Sequence, residues 1–393
     1  MTTIRMSSRW TVTTREPLRR TLVLVSAIVC FETVLFTVLA PLLPHLAHRF
    51  GLSKSAAGVL VACYAAGALL GAVPSGLVAA RIGAKATALS GLLLLGAASV
   101  AFAVAPGAVW VFAARLAQGA GCSLAWTGGF AWLLVQVPRE RRGEAIGTAL
   151  AAAVAGALLG PVVGTLASAA GMTPVFVAFA VPALALAVWG ASIPGGPPQE
   201  LLSLETFRRA LSQTSLIAAS LLLALAGFLL GAISVLAPLH LGQLGWSATE
   251  IGGVFLLTAA VTTAANPVLG RWADRAGRTA PLRLALALSA AGSAGLASGT
   301  GRWAYAGIVL VAGIAYALLW TPAMVLLSDA AAERGLGFVV GFALMNLAWS
   351  PGQLLGSTFA GGVAQVSSDA VPYSVAAGLC LAALAALAWT RAT

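Results

Sequence analysis

Of eleven acidic residues in this 393-residue chain, one, Glu32, stands deep inside a long apolar run. It lies about nine residues, or roughly 13 Å of helix rise, from Pro41, which would put it near the middle of a bilayer. A carboxyl group there can trade its proton for a cationic group on a ligand. Arg115 is the basic counterpart, also within an apolar run. An arginine at such a place is costly and calls for a partner or a function. Three arrangements are open: a permanent Glu32–Arg115 ion pair, a protonated Glu32 bonded to a neighbour, or an Arg115 whose stem carries its charge to the interface. The reading taken forward is that Glu32 couples protons or binds substrate while Arg115 shapes its proton affinity.

Around these two, Phe36 follows Glu32 by one helical turn, on the same face. Tyr64, Gln118, Trp126, Tyr316, Trp320, Asn346, Trp349 and Gln353 also fall within apolar runs and are candidates to line a substrate cavity. Aromatics so placed also serve as packing or as an interfacial belt. Asn346 carries an amide that needs hydrogen-bond partners once buried. His45 and His48 form an i, i+3 pair without a third ligand, and His240 stands at a corresponding helix end, so no metal site is expected. The sequence holds no Ser-His-Asp set, no Cys-His pair, no paired catalytic carboxylates and no phosphate loop. Neither an enzyme activity nor a cofactor is expected.

The elements that must position these residues are membrane helices. The chain is 60% hydrophobic and only 8% charged, against roughly 25% charged residues in soluble domains. Its mean hydropathy is +0.97. A soluble enzyme, a nucleic-acid binder and a disordered regulator are all excluded. The net charge of +11 sits in short clusters between apolar runs rather than in a stripe interleaved with aromatics, so no nucleic-acid partner is expected. Cys30, Cys63, Cys122 and Cys380 all lie in apolar runs, with neither disulfide nor metal-ligand spacing. Arginine far outnumbers lysine, a bias that fits a GC-rich bacterial genome.

Apolar segments near 21–43, 55–79, 86–105, 109–135, 145–170, 173–192, 213–238, 249–270, 281–299, 303–327, 336–360 and 372–390 predict twelve spans. No cleavable signal peptide is apparent, so the first apolar run is expected to be retained. Both termini then share a side with 18 of the basic residues, and three, Arg49, Lys54 and Arg302, face the other way. The positive-inside rule makes the crowded side cytoplasmic. A Pro/Gly-rich stretch from Ile193 to Glu200 divides the chain. The predicted organisation is a basic tail over 1–20, a six-helix bundle over 21–192, a cytoplasmic linker over 193–212 and a second bundle with a short tail over 213–393. The halves repeat at an offset of 194 residues, which pairs Gly76 with Gly270, Arg81 with Arg275, Gly83 with Gly277 and Trp126-Thr127 with Trp320-Thr321. The fold class is therefore all-α polytopic, with two pseudo-symmetric bundles around a central path.

Several segments resemble the major facilitator superfamily. The run Gly76 to Lys85, with Arg81 and Gly83, and its counterpart Gly270 to Arg278, with Asp274, Arg275 and Gly277, resemble the family's G-x-x-x-D-R-x-G-R-K loop. Ala80 and Ala84 depart from it in the first copy. The resemblance implies a latch at the cytoplasmic gate, carried mainly by Asp274 and Arg275. Arg115, Gln118, Gly119 and Gly121 resemble the family's R-x-x-Q-G-x-G element. Gly156, Gly160, Pro161 and Gly164 resemble the G-x-x-x-G-P-x-x-G element of drug and metabolite antiporters, and Glu32 with the following Pro41 and Pro44 resembles the acidic first helix of proton-coupled exporters. Small residues at i and i+4 let helix backbones meet closely, and proline can kink the helix.

The resemblance implies a twelve-helix secondary active transporter in a bacterial cell membrane, acting as a monomer. Its partners would be protons, the lipid bilayer and a small amphipathic drug or metabolite, exported by antiport. Two alternatives remain: an exporter of sugars or biosynthetic metabolites in which Glu32 couples protons without touching substrate, and a non-transporting receptor or scaffold.

Overall fold

A computed structural model describes residues 15–138, 141–196, 214–277, 279–299, 301–332 and 338–389. The first half runs α1 Arg15–Thr37, α2 Leu39–Phe50, α3 Lys54–Ile82, α4 Ala84–Ala103, α5 Ala108–Gln136, α6 Arg142–Ala170, α7 Met172–Ala178 and α8 Ala180–Ser192. The second runs α9 Thr214–Gln243, α10 Ala248–Ala276, α11 Thr279–Ala297, α12 Arg302–Ala332, α13 Phe338–Val366 and α14 Ala370–Trp389. There is no strand among the described residues.

Among the described residues, eleven helices are long and apolar enough to cross a membrane. The remaining long helix, α13, has 29 residues but carries Asn346, Ser350, Gln353 and Ser357 along its middle. It packs on α9 and α3 at the centre of the molecule. Among the described residues, twelve traverses bring the chain back to the face from which α1 starts. The face at which α1 begins and the last helix ends is here the terminal face, and the opposite one the remote face.

Two predicted spans are broken rather than continuous. The first divides at Val38 and the sixth at Phe179. Pro41 and Pro182 have no N–H to offer the carbonyls of Thr37 and Ala178, four residues back, and each helix stops at that residue. Helix α1 begins at Arg15, within the stretch expected to be a tail. The rest of that tail, most of the linker (197–212) and the last four residues lie outside the described residues.

The repeat is visible in the helix limits. Helices α3 and α10 start 194 residues apart (248 − 54) and end 194 apart (276 − 82). Both open on a serine cap: Ser53 accepts from the Ala56 N–H, and Ser247 forms a capping box with Glu250. Both close on a glycine with positive φ, Gly83 at 86° and Gly277 at 78°, a backbone region that disfavours side chains. In each half the first helix packs on the fifth, and the second and third pack on the fourth. At the terminal face a basic side chain holds the end of each half's last helix. The Lys85 ammonium donates to the carbonyls of Ala191 and Ile193, at 2.8 and 2.6 Å, and Arg283 donates to that of Leu387, at 2.8 Å.

Among the described residues, the halves touch toward the remote face, where small residues let backbones meet. Gly58 of α3 lies against the Ser357 carbonyl of α13, with Gly361 alongside. Gly252 of α10 lies against Pro161 and Thr165 of α6, and Gly242 of α9 against Pro44 of α2. A separate apolar cluster holds Val25, Val29, Leu133 and Ile146 of the first half with Leu223, Leu327, Leu344 and Met345 of the second.

Candidate functional site

One face of α5 carries Arg115, Gln118, Gly119, Cys122 and Trp126, at spacings of three, one, three and four, and so presents them together. Opposite are Glu32, Thr33 and Phe36 at the end of α1 and Tyr64 in the middle of α3. Gly119 makes the meeting possible: a side chain there would run into the Tyr64 carbonyl. Its counterpart Gly313, 194 residues on, lies against Thr258, the counterpart of Tyr64.

Glu32 is 4% exposed and accepts three hydrogen bonds. The Tyr64 hydroxyl donates to Oε1, the Trp126 indole N–H to Oε2 at 2.8 Å, and the Thr33 hydroxyl reaches Oε2 at 3.2 Å. Thr33 also lies 2.8 Å from the Val29 carbonyl. It can therefore send its proton to Val29 and accept from a protonated Glu32, or turn and donate to the carboxylate. The thiol of Cys122 lies within reach of Glu32 and Tyr64.

Arg115 is 2% exposed, and it forms no ion pair with Glu32 among the described residues. One amine donates to the Leu35 carbonyl at 2.9 Å and to Gln118 Oε1 at 2.8 Å. Leu35 belongs to the last turn of α1, so the guanidinium sits at the partly negative end of that helix. Its remaining face lies over the Tyr64 ring, 4.7 Å from the centroid, a cation–π contact. The Arg115 Nε has no hydrogen-bond partner among the described residues. Gln118 is held in turn by Ser99 of α4, at 3.1 Å. Tyr64 thus stands between acid and base, hydroxyl to one and ring to the other. An uncompensated buried charge would cost several kcal/mol, and here each charge is met by neutral groups.

From Tyr64 an aromatic chain crosses to the other half. Phe36 lies 5.3 Å from both Tyr64 and Trp349, and Trp349 lies 5.8 Å from Trp320. Trp126 bonds Glu32 itself, and its counterpart Trp320, 194 residues on, stands at the far end of this aromatic chain. Their neighbours Thr127 and Thr321 each bond the second helix of their own half, α3 at Ser75 and α10 at Asn266, both at 3.0 Å.

Other candidates are placed elsewhere. Tyr316 is fully buried between α11 and α12, sharing a 2.6 Å bond with Ser293, and belongs to the packing of the second half. Gln118 is fully buried and braces Arg115. Gln353 is 2% exposed, one turn beyond Trp349, while Asn346 is half-buried one turn before it. Gly156, Gly160 and Gly164 pack α6 onto α1 and α2 at Cys30, Thr37 and Val38, with Pro161 buried in an unbroken helix. Gly76 has open space around it, and Arg81 and Arg275 are exposed in the last turns of α3 and α10. Gly270 lies in α10 with Asp274, whose side chain, like all of Arg278, falls outside the described residues. Thr33, Ser99 and Cys122 were not singled out by sequence. Each has an ordinary place in a span, and only the packing reveals its contacts.

A family model described as Major Facilitator Superfamily matches residues 25–350, with a second match over 219–393. The curated protein MFS-type transporter ppzB of the fungus Metarhizium rileyi (strain RCEF 4871) is 30% identical over 122 residues, 30% of this chain and 25% of that protein. The aligned chain thus spans about a quarter of the curated relative's length. Among solved structures, the nucleoside transporter NupG superposes with a TM-score of 0.75 at 11% identity, over 95% of this chain and 98% of that one. An inward-facing, unoccupied bacterial homologue of the human lysosomal transporter Spinster superposes at 0.70 and 15% identity, over 96% of both chains. At such identities the likeness is one of fold.

Proposed function

Because the chain belongs to the major facilitator superfamily, a family of membrane transporters, we propose that it is a proton-coupled exporter of small amphipathic compounds, cationic ones among them. The observation that carries this reading is Glu32: a buried acid, bonded among the described residues by neutral donors, at the foot of an aromatic wall built from both halves. Such a carboxyl can hold one proton or face one cation, and the aromatics suit apolar and cationic ligand surfaces.

In the proposed cycle, deprotonated Glu32 accepts substrate from the terminal side, the halves rock, and a proton from the remote side returns to Glu32 as substrate leaves. Arg115, held by Leu35, Gln118 and the Tyr64 ring, keeps a positive charge nearby without neutralising the acid. The excess of basic residues makes the terminal face cytoplasmic in this reading, with the protein in a bacterial cell membrane. The Gly-Pro element of α6 supports the export direction through its likeness to antiporters, and Asp274 with Arg275 is the proposed cytoplasmic gate.

The test uses everted membrane vesicles energised to acidify their interior, to which cationic, zwitterionic and neutral amphipaths are added while internal pH is followed. Proton release triggered by particular compounds and lost in Glu32→Gln supports the reading. A well-inserted Glu32→Gln protein with undiminished proton-driven efflux overturns it. A second reading is favoured by the three internal donors that already occupy both Glu32 oxygens. There Glu32 carries protons only, and the substrate is a neutral metabolite bound elsewhere on the wall. Direct competition between protons and a cationic ligand separates the two.

A further inference from the structure

At the remote face a single carboxylate is shared between the halves. Asp369, in the turn before α14, takes the Lys54 ammonium on Oδ1 at 2.5 Å and the His240 ring on Oδ2 at 3.2 Å. Lys54 opens α3 in the first half, whereas His240 is near the end of α9, in the same half as Asp369. The side chains of Lys54, Asp369 and His240 are 25%, 14% and 24% exposed, so the group is largely closed off. A second bond crosses beside it, from the Lys54 backbone N–H to Gln365 Oε1 at 2.9 Å. These bonds sit one turn from the close approach of Gly58 to Ser357 and Gly361. A carboxylate only accepts, so His240 donates its Nδ1–H. The ring is fixed for this by Tyr305, 4.3 Å away. Tyr305 and Tyr373 lie near enough to Asp369 to feel its charge.

We propose that Asp369 is the shared catch of a latch: Lys54 holds it across the halves while the remote face is closed, and His240 retains it when that face opens. The geometry assigns the two partners different tasks. Parting the halves carries Lys54 away with α3 but leaves His240 beside Asp369. Taking one partner from an enclosed ion pair is costly chiefly because the other charge is stranded. A latch made of Lys54 and Asp369 alone would carry that cost at every opening. With His240 on the second oxygen, the carboxylate is never without a donor. Lys54 then favours the closed face, and His240 favours the open one relative to a latch without it.

The test measures the width of the remote face by electron–electron double resonance in lipid nanodiscs, using the full chain with its four cysteines replaced by alanine. Spin labels go at Val104 and Ser298, exposed positions 194 residues apart in the two halves. Lys54→Met and Asp369→Asn are expected to raise the long-distance population ratio about fivefold, the change equivalent to about 1 kcal/mol. Lys54→Arg should leave it as in the parent. His240→Ala should lower the long-distance fraction. If Lys54→Met and Asp369→Asn leave the distribution unchanged, there is no latch. If His240→Ala widens it as Lys54→Met does, His240 is a brace of the closed state and the hand-over is wrong. Because the readout is a distance, loss of proton-driven transport in the same proteins would bear on the transport mechanism and not on the latch.

Discussion

The guanidinium of Arg115 lies 4.7 Å from the centre of the Tyr64 ring, and the hydroxyl of that same tyrosine bonds Glu32. The two buried charges of the first half are therefore linked through an aromatic residue instead of by contact. A direct pair would neutralise the acid and hold α1 to α5 in one geometry. The interposed ring leaves Glu32 free to change its proton while Arg115 stays bonded to α1 and Gln118.

This arrangement predicts a graded series at Tyr64. Tyr64→Phe keeps the ring under Arg115 and removes only the donor to Glu32, a bond to a charged group worth about 1.5–3 kcal/mol. Proton-driven efflux in vesicles should fall roughly tenfold or more, with the protein still inserted and monodisperse. Tyr64→Leu, which removes the ring as well, should be more severe. Equal losses for the two would mean that the contact with Arg115 contributes nothing.

Arg115→Lys tests the same contact from the other side. Lysine keeps the charge but loses the plane that lies on the ring, and an ammonium is more strongly hydrated. A lysine side chain cannot reproduce the arginine's simultaneous hold on Leu35, Gln118 and Tyr64. The substitution should cost at least about tenfold in flux, and Arg115→Met should not differ from it greatly. Full activity in Arg115→Lys would show that charge alone is required there.

Part of this was legible in the sequence because some residues are too costly to be accidental. Glu32 and Arg115 announce themselves by being ionisable within apolar runs, and the 194-residue repeat shows in glycines, tryptophans and caps. Which way each side chain points was not legible. Helices apolar on every side give no periodicity from which to assign a face, so Tyr316 and Trp320 looked equivalent although one is core and the other joins the aromatic wall. Nor was the latch: Lys54 and Asp369 are 315 residues apart, and Asp369 and His240 are 129 apart. Each alone is an ordinary residue at a helix end. Pro41 was visible as a proline, but where the first span breaks, at the end of α1 four residues back, shows only in the fold.

Three glycine substitutions should separate close packing from open space. Gly119→Ala would push a methyl group into the Tyr64 carbonyl, which cannot yield without moving α3. Overpacking of this kind costs about 1–3 kcal/mol. Gly313→Ala meets side-chain atoms of Thr258, the methyl group nearest at 2.9 Å, and no backbone at that range, so its cost should be lower. Gly76→Ala meets nothing within 4 Å and should be neutral or stabilise its helix by up to about 1 kcal/mol. Thermal unfolding of the detergent-purified proteins reads the order directly, and a Gly76→Ala protein less stable than Gly119→Ala would refute it.

Asp369 fixes the sign of one pH dependence. Burial alone would raise the pKa of its carboxyl, but the bonds from His240 and Lys54 outweigh this and hold it below the ordinary carboxylate value. A group depressed in the closed state stabilises that state above its free value of about 3.9 and ceases to do so as the pH falls through the lower, bound value. In a His240→Gln background, where the carboxylate is the reporter, the difference in remote-face width between Asp369 and Asp369→Asn proteins should be constant from pH 8 to 5. It should shrink only on acidification below about pH 4. A difference that vanished already between pH 7 and 6 would mean that the carboxylate is protonated more easily than a free one, the opposite of what the Lys54 ammonium, still on it in this background, requires.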